Sequence, residues 1–319
     1  MMQRKYSFFM IFAILSLIAA FFCPGELSAS EKINCKICKK QIRPGQRYLI
    51  SKNEPYCSRK CYEQILPECT VCRKRSYTGG IYALDHTFFA CTECMKKPRC
   101  FSCQIPTDDA TLSCSRAICK NCLRTSISNS RQAQALFNEV RDTMRLSLGI
   151  GTRHPIRFTL VDPDQLQKLS GNPSDNHLEQ GLFKYEAEIE KVVTRDYLGR
   201  KKSEKTYAKN ENRSIFVLDH LPKIRMEYVI AHELAHDWQA EFYPGIRDLK
   251  IKEGLAEYIA WRYNHFKKRH DLNRRIENNP DPIYGEGFRQ IKRIVDKNGF
   301  AGLKKYLQFK SDSKHVIRK

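Results

Sequence analysis

From Arg131 to Leu148 apolar side chains recur at Ala133, Leu136, Phe137, Val140, Met144 and Leu148, the spacing of one helix face, and Gly149 follows as a stop. The period then changes. Ile156-Arg157-Phe158-Thr159-Leu160 alternates apolar and polar and predicts a strand stopped by Asp162-Pro163; Phe183, Tyr185, Ala187 and Ile189 alternate in the same way and predict a second. Residues 195–212 are polar and charged, which predicts a loop or hairpin tip. Ser214 to Leu218 reads as a third strand, Pro222 opens a helix, and the pattern stays helical from there to the end. Strands first and helices afterwards define an α+β domain with a short sheet, assigned to residues 126–319.

The stretch ahead of this domain has little apolar periodicity and is organised by cysteine instead. Of fourteen cysteines, Cys23 stands apart and none lies after Cys122. Twelve fall in pairs: Cys35/Cys38, Cys57/Cys61, Cys69/Cys72, Cys91/Cys94, Cys100/Cys103 and Cys119/Cys122. A two- or three-residue spacing lets both thiolates of a pair reach one tetrahedral zinc. The gaps between pairs alternate long and short, at 18, 7, 18, 5 and 15 residues, so joining pairs across the long gaps gives three structural four-cysteine zinc sites in tandem, each closing a small zinc-ribbon loop over residues 31–125. A cross-braced pairing and a disulfide framework are the alternatives, and Cys114 is left over under every scheme.

Residues 1–30 differ again. Arg4 and Lys5 precede an apolar run from Phe8 to Phe22, followed by Pro24, Gly25 and the small residues Ser28-Ala29-Ser30, the layout of a Sec-type signal peptide and hence of an exported, periplasmic or secreted protein. An uncleaved N-terminal membrane anchor is the alternative, although the run is short for about 30 Å of hydrocarbon.

Composition is that of a globular chain, 41% hydrophobic and 29% charged. The formal net charge of +21 counts every cysteine as a neutral thiol, and each four-thiolate zinc would carry −2. The chain stays basic after that correction, which suits anionic surfaces or acidic substrates as well as a simple lysine-rich solvated surface. Basic runs such as Arg200-Lys201-Lys202 and Lys267-Lys268-Arg269 lack interleaved aromatics, so nucleic acid is not the expected partner.

Ala231-His-Glu-Leu-Ala-His236, on the helix opened by Pro222, carries the chemistry. His232 and His236 lie one turn apart and can bind one zinc, while Glu233, rotated by about 100°, can take a proton from a water at that metal as general base. Met226, Ile230, Leu234, Trp238 and Phe242 stripe the opposite face. A catalytic zinc needs a third protein ligand and an open position. Glu253-Gly-Leu-Ala-Glu257-Tyr on the following helix supplies Glu253 as that ligand and Glu257, one turn on, as a hydrogen-bond partner for a ligating histidine; the reverse assignment is the alternative. His265, His270 and His315 lie in basic or charged surroundings and are weaker candidates. Tyr284 could polarise the scissile carbonyl, or serve as a core tyrosine flanked by glycine. The strand Ser214–Leu218 is expected at the sheet edge, where an extended peptide could add as a further strand. The expectation is a zinc-dependent peptidase acting on a protein or peptide, with one catalytic and about three structural zincs. A non-catalytic, zinc-stabilised binding or scaffold protein at an anionic surface is the other class.

The pairing HELAH with EGLAEY resembles the gluzincin clan of zinc peptidases, and that resemblance implies the same roles for Glu253 and Glu257. Cysteine modules, then VIAHELAHDW, KEGLAEY and PIYGEGFRQIKRIVDKNG in that order resemble the LIM-domain, ubiquitin-activated peptidases that restrain organ growth in plants, and PRCFSCQ and ICKNCL look like that family's second zinc module. The resemblance implies an endopeptidase whose zinc modules form a structural or protein-interaction arm. Two departures stand out. A strict LIM domain has a His-x-x-Cys half and two residues between its zinc units, where this chain has Cys57-x-x-x-Cys61 and a seven-residue gap, so its modules are LIM-like. No ubiquitin-interacting helix is recognisable ahead of the cysteines, so ubiquitin activation is not carried over, and an exported bacterial relative is expected.

Overall fold

The computed structural model describes residues 33–82, 88–111, 116–171 and 179–312. The expected signal segment, Cys114 and His315 lie outside them. Among the described residues no helix is long and apolar enough to cross a membrane. The chain forms two compact units: one holds the cysteine-rich part to Thr111 with Ala117–Cys119, the other Arg116 and the chain from Lys120 onward.

The cysteine-rich stretch of sequence, from Cys35 to Cys122, repeats one plan. A Cys-x-x-Cys turn is closed by paired backbone hydrogen bonds, Cys35 N–H to Lys40 O and Lys39 N–H to Cys35 O, then Cys69 to Lys74 with Arg73 to Cys69, then Cys100 to Ile105 with Gln104 to Cys100. The residue after each second cysteine takes the left-handed conformation, with φ of 59° at Lys39, 61° at Arg73 and 64° at Gln104. A short antiparallel hairpin follows each turn: β1 (Leu49–Ser51) with β2 (Glu54–Tyr56), β3 (Gly80–Tyr82) with β4 (Phe89–Cys91), and β5 (Ala110–Thr111) with β6 (Ala117–Ile118). The later cysteine pair sits at or near a helical turn, α1 (Arg59–Glu63), the 3₁₀ turn Cys94–Lys96, or α2 (Lys120–Arg124). Apolar packing is small here. Leu49, Tyr56, Tyr62 and Leu66 form one cluster, and Phe89 packs with Cys69, Cys91 and Cys94 in another.

In the second unit β7 (Ser126–Ile127) precedes α3 (Ser130–Leu148), which Asn129 caps and Gly149 ends at φ 65°, as the periodicity predicts. β8 (Arg157–Val161) follows. Asp162-Pro163 stops that strand and also starts a helix missing from the sequence reading, α4 (Pro163–Ser170), through a capping box between Asp162 and Gln165. β9 (Gly181–Arg195) and β10 (Lys201–Leu218) make a long antiparallel hairpin. Most of residues 195–212 therefore belong to a strand, and the tip is confined to the Asp196–Arg200 turn. The charged composition of that ribbon conceals its alternation.

Sheet order is β8-β10-β9, with β10 parallel to β8 over Ser214–Leu218 and antiparallel to β9. This corrects the expected edge: Ser214–Leu218 is paired on both sides, and among the described residues β8 and β9 are the outer strands. β11 (Leu221–Pro222) pairs with β7 and leads into α5 (Lys223–Phe242). α6 (Leu249–Phe266), α7 (His270–Glu277) and α8 (Tyr284–Asp312) complete the unit, with α8 broken at Gly299 where φ is 67° and ψ 178°. Tyr263, Phe137, Phe288, Met226 and Ile230 are fully buried in its core. α5 is buried almost all round, while Phe242, at the end of the expected stripe, is 50% exposed.

Candidate metal centres and active site

Four thiolates at about 2.3 Å from a tetrahedral zinc stand about 3.8 Å apart, the tetrahedron edge being about 1.63 times the bond. Three cysteine tetrads match that shape: Cys35, Cys38, Cys57 and Cys61; Cys69, Cys72, Cys91 and Cys94; Cys100, Cys103, Cys119 and Cys122. Sγ–Sγ distances are 3.5 Å for Cys38–Cys57, 3.6 Å for Cys57–Cys61, 3.9 Å for Cys72–Cys91 and 3.7 Å for Cys103–Cys119. All twelve are free thiols rather than disulfides, and the clusters follow the chain in tandem rather than cross-braced. The first cysteine of each module is fully buried. Burial alone would raise the Cys35 thiol, but backbone N–H groups at Cys57, Cys38 and Ile37 bring it down to about 6, and those at Cys72, Cys91 and Val71 do the same for Cys69. Burial and the neighbouring sulfurs push the other way elsewhere in the same tetrads, to about 12 at Cys57 and well up at Cys94, so without a metal the thiolate is favoured at the first cysteine of these two tetrads and opposed at those later ones. The tetrads fit structural zinc in LIM-like modules.

A fourth cluster of another donor set lies where α5 faces α6. His236 Nε2 is 3.2 Å from His232 Nε2, and Glu253 Oε2 is 3.3 Å from His232 Nε2 and 3.4 Å from His236 Nε2. A zinc with bonds of about 2.0–2.1 Å has ligand–ligand edges of about 3.3–3.4 Å, so this triangle fits a metal with one position left for water or substrate. Burial would raise the Glu253 carboxyl, yet the two imidazoles hold it well below the usual carboxylate range. Helical geometry explains the pair of histidines. Glu253 reaches them because α6 crosses α8 at two glycines: a Cβ on Gly254 would meet the Gly287 backbone, and a Cβ on Gly287 would meet Lys250 O.

Glu257 is one turn further along α6 and behind His232, with Oε1 3.2 Å from Nδ1 and off the line of a straight hydrogen bond. The Tyr228 hydroxyl donates to the same oxygen at 2.5 Å. Of the two carboxylates, Glu253 carries the oxygen in the triangle. Glu233 is buried against the start of β9, where a Cβ on Gly181 would lie 2.6 Å from Glu233 Oε1. Burial pushes its carboxyl above the usual range. Tyr284, at the amino end of α8, places its ring centroid 6.4 Å from that of His232, and burial raises its phenol. Gly181, Phe183, His232, His236, Glu253 and Tyr284 are among the residues around an open cavity of about 510 Å³. His265 and His270 are exposed at the far end of α6 and the start of α7 and take no part.

Three contributors escaped the sequence reading. Tyr228 is one turn ahead of His232 and looks like ordinary helix core. Gly181 opens β9 and gives no pattern signal until Glu233 is known to pack on it. Asp237, next to His236, anchors α5 from behind: Arg213 Nη1 donates to its Oδ1 at 2.8 Å and the Thr152 hydroxyl to its Oδ2 at 2.6 Å, while Arg213 Nη2 donates to Glu241 at 2.7 Å. An aspartate inside an apolar helix was the available signal, because a buried charge demands a partner.

The cysteine tetrads in tandem fit LIM-like zinc modules, a unit of mixed helices and small sheets follows them, and the chain's homologues are DA1-related and LIM-domain proteins of plants. It is 23% identical over 332 residues to Protein DA1-related 7 of Arabidopsis thaliana, covering 86% of this chain and 58% of that protein. To the LIM domain-containing protein HDR3 of Oryza sativa subsp. japonica it is 26% identical over 266 residues, 75% of this chain and 52% of the other; to Protein DA1 of Arabidopsis thaliana, 23% over 344 residues, 90% and 64%. The chain thus spans less than two thirds of each of these relatives. No family model matches the chain, and no solved structure matches it.

Proposed function

We propose that the chain is a zinc-dependent, gluzincin-type peptidase that hydrolyses peptide bonds of a protein or peptide, with the LIM-like modules as a structural or protein-binding arm. The observation that carries this is the triangle of His232, His236 and Glu253, with sides of 3.2–3.4 Å, open to a cavity and flanked by the buried carboxylate of Glu233. His232, His236 and Glu253 would hold the zinc, which when bound polarises the scissile carbonyl and acidifies a water. Glu233 takes the proton of the attacking water and returns it to the departing amine; its raised affinity for a proton suits that double task. Glu257, held by the Tyr228 hydroxyl, lies behind His232 and orients its ring by charge. Tyr284 reaches the same cavity and is the candidate donor to the developing oxyanion. β9 is an outer strand whose start, Gly181–Tyr185, borders this cavity, and it offers an edge for strand addition by an extended substrate.

Glu233→Gln tests the reading on the purified full chain, with fluorogenic peptide libraries and unfolded protein as substrates. Zinc content should stay at the wild-type level while cleavage falls by about 10³-fold or more, the scale of losing a general base together with its charge. Wild-type activity in this variant refutes the assignment. A wild-type chain that loads its zincs yet cleaves nothing favours the non-catalytic scaffold.

A further inference from the structure

The cavity beside the His-His-Glu triangle is not symmetric in charge. Its wall between α5 and α6 carries Pro244, Ile246 and Arg247 from the connecting segment and Lys252 from the first turn of α6. The neighbouring Lys250 is matched, its Nζ lying 2.7 Å from Glu286. Arg247 and Lys252 have no carboxylate partner among the described residues, and Lys252 is only half-exposed. The fold does not need a cation at that place, since the dipole of α6 opposes one in the first turn and Asp248 already caps the helix. Among the described residues, the one further carboxylate on the cavity wall, apart from Glu233 and Glu253, is Glu179, two residues ahead of β9.

Resting on the peptidase reading, we propose that Arg247 and Lys252 form a carboxylate-recognition subsite, so that the chain selects peptides presenting an acidic group within a residue or two of the bond to be cut. Arg247 and Lys252 line the same cavity as Glu253, which keeps that reach short. The planar fork of arginine matches a carboxylate in two parallel hydrogen bonds, and an ammonium beside it adds a point charge. The surplus of basic residues over the whole chain adds long-range attraction for acidic segments. Two sources supply the group, an aspartate or glutamate side chain or the carboxylate at a peptide's C-terminus. Ile246 and Pro244 give the subsite an apolar floor for the chain that carries it.

The test uses the full zinc-loaded chain carrying Glu233→Gln, which separates binding from cleavage. Fluorescein-labelled octapeptides are compared in pairs, glutamate against glutamine at each position in turn and a free against an amidated C-terminus, with affinity read by anisotropy. At least one acid is expected to bind about tenfold more tightly than its amide, the scale of a charge-assisted hydrogen bond in a partly buried site. Adding Arg247→Gln and Lys252→Gln should shrink that ratio below about twofold with zinc content and neutral-peptide affinity retained. A preference at an internal position assigns an endopeptidase, and one confined to the free C-terminus a carboxypeptidase. Equal affinity for every acid and its amide overturns the proposal, as does a preference that survives both substitutions. Failure of every peptide, neutral ones included, to bind this variant, with none cleaved by the wild-type chain, overturns the peptidase reading and this one with it.

Discussion

Replacing Gly254 by alanine adds one methyl group beside a proposed metal ligand and should disable the site out of proportion to its size. A Cβ at this position would stand 2.5 Å from the carbonyl oxygen of Gly287 and 2.6 Å from its Cα. Ordinary carbon contacts lie at about 3.5–4.0 Å, so α6 and α8 must separate by about 1 Å. Both obstructing groups are backbone, and no rotamer change relieves them. Overpacking of this kind costs about 1–3 kcal/mol, here at the upper end, and alanine's better helix propensity returns about 1 kcal/mol. The net loss of about 2 kcal/mol lowers the midpoint of a domain of this size by roughly 4–8 °C. Function suffers more, because Glu253 is the preceding residue and its oxygen must stay 3.3–3.4 Å from both imidazoles; a misplacement of about 1 Å can cost about 10²-fold in rate. Differential scanning calorimetry, zinc analysis and peptide turnover of Gly254→Ala read the three effects separately. A variant that melts within about 1 °C of wild type, keeps its zinc and turns over normally refutes the argument from close approach.

Metal analysis of the intact chain is expected to find four zincs, one for each cysteine tetrad and one for the histidine-glutamate cluster; three would leave that last cluster without a metal. Tyr228→Phe deletes the hydroxyl that donates to Glu257 and should weaken catalytic-site zinc binding by about tenfold in a chelator competition, with unchanged affinity counting against a positioning role. Arg213→Leu strands the buried carboxylate of Asp237 and should cost about 3–5 kcal/mol in urea unfolding, partly recovered when Asp237 is also made leucine; a loss under about 1 kcal/mol would mean the pair is dispensable.

The site was legible wherever a spacing reports a local geometry. The meeting of His232 and His236 needed only the pitch of one helix, and the alternating gaps between cysteine pairs favoured tandem over cross-braced clusters, a choice settled by the tetrads themselves. Reading failed where the deciding interaction is remote in sequence. Ser214–Leu218 has the alternation of a strand, but only its pairing with Arg157–Val161 on one side and β9 on the other makes it central. Much of β9 and β10 forms a two-stranded ribbon beyond the reach of β8, and its many charged residues look like a loop. α4 is a single capped stretch of eight residues, too short for a period to show. The glycine in EGLAEY marks a crossing of two helices, and its counterpart in YGEGF is more than thirty residues away.

The order of the cysteine tetrads along the chain also governs how the arm comes apart. Ligands of the first cluster end at Cys61, those of the second run from Cys69 to Cys94, and those of the third begin at Cys100, with no interleaving. Each ion therefore closes its own short loop. Stripping one ion should fray a single segment while its neighbours keep theirs, so titration with a chelator would be stepwise rather than all-or-none. Nascent chain could likewise load its ions one at a time, in the order in which the loops are synthesised.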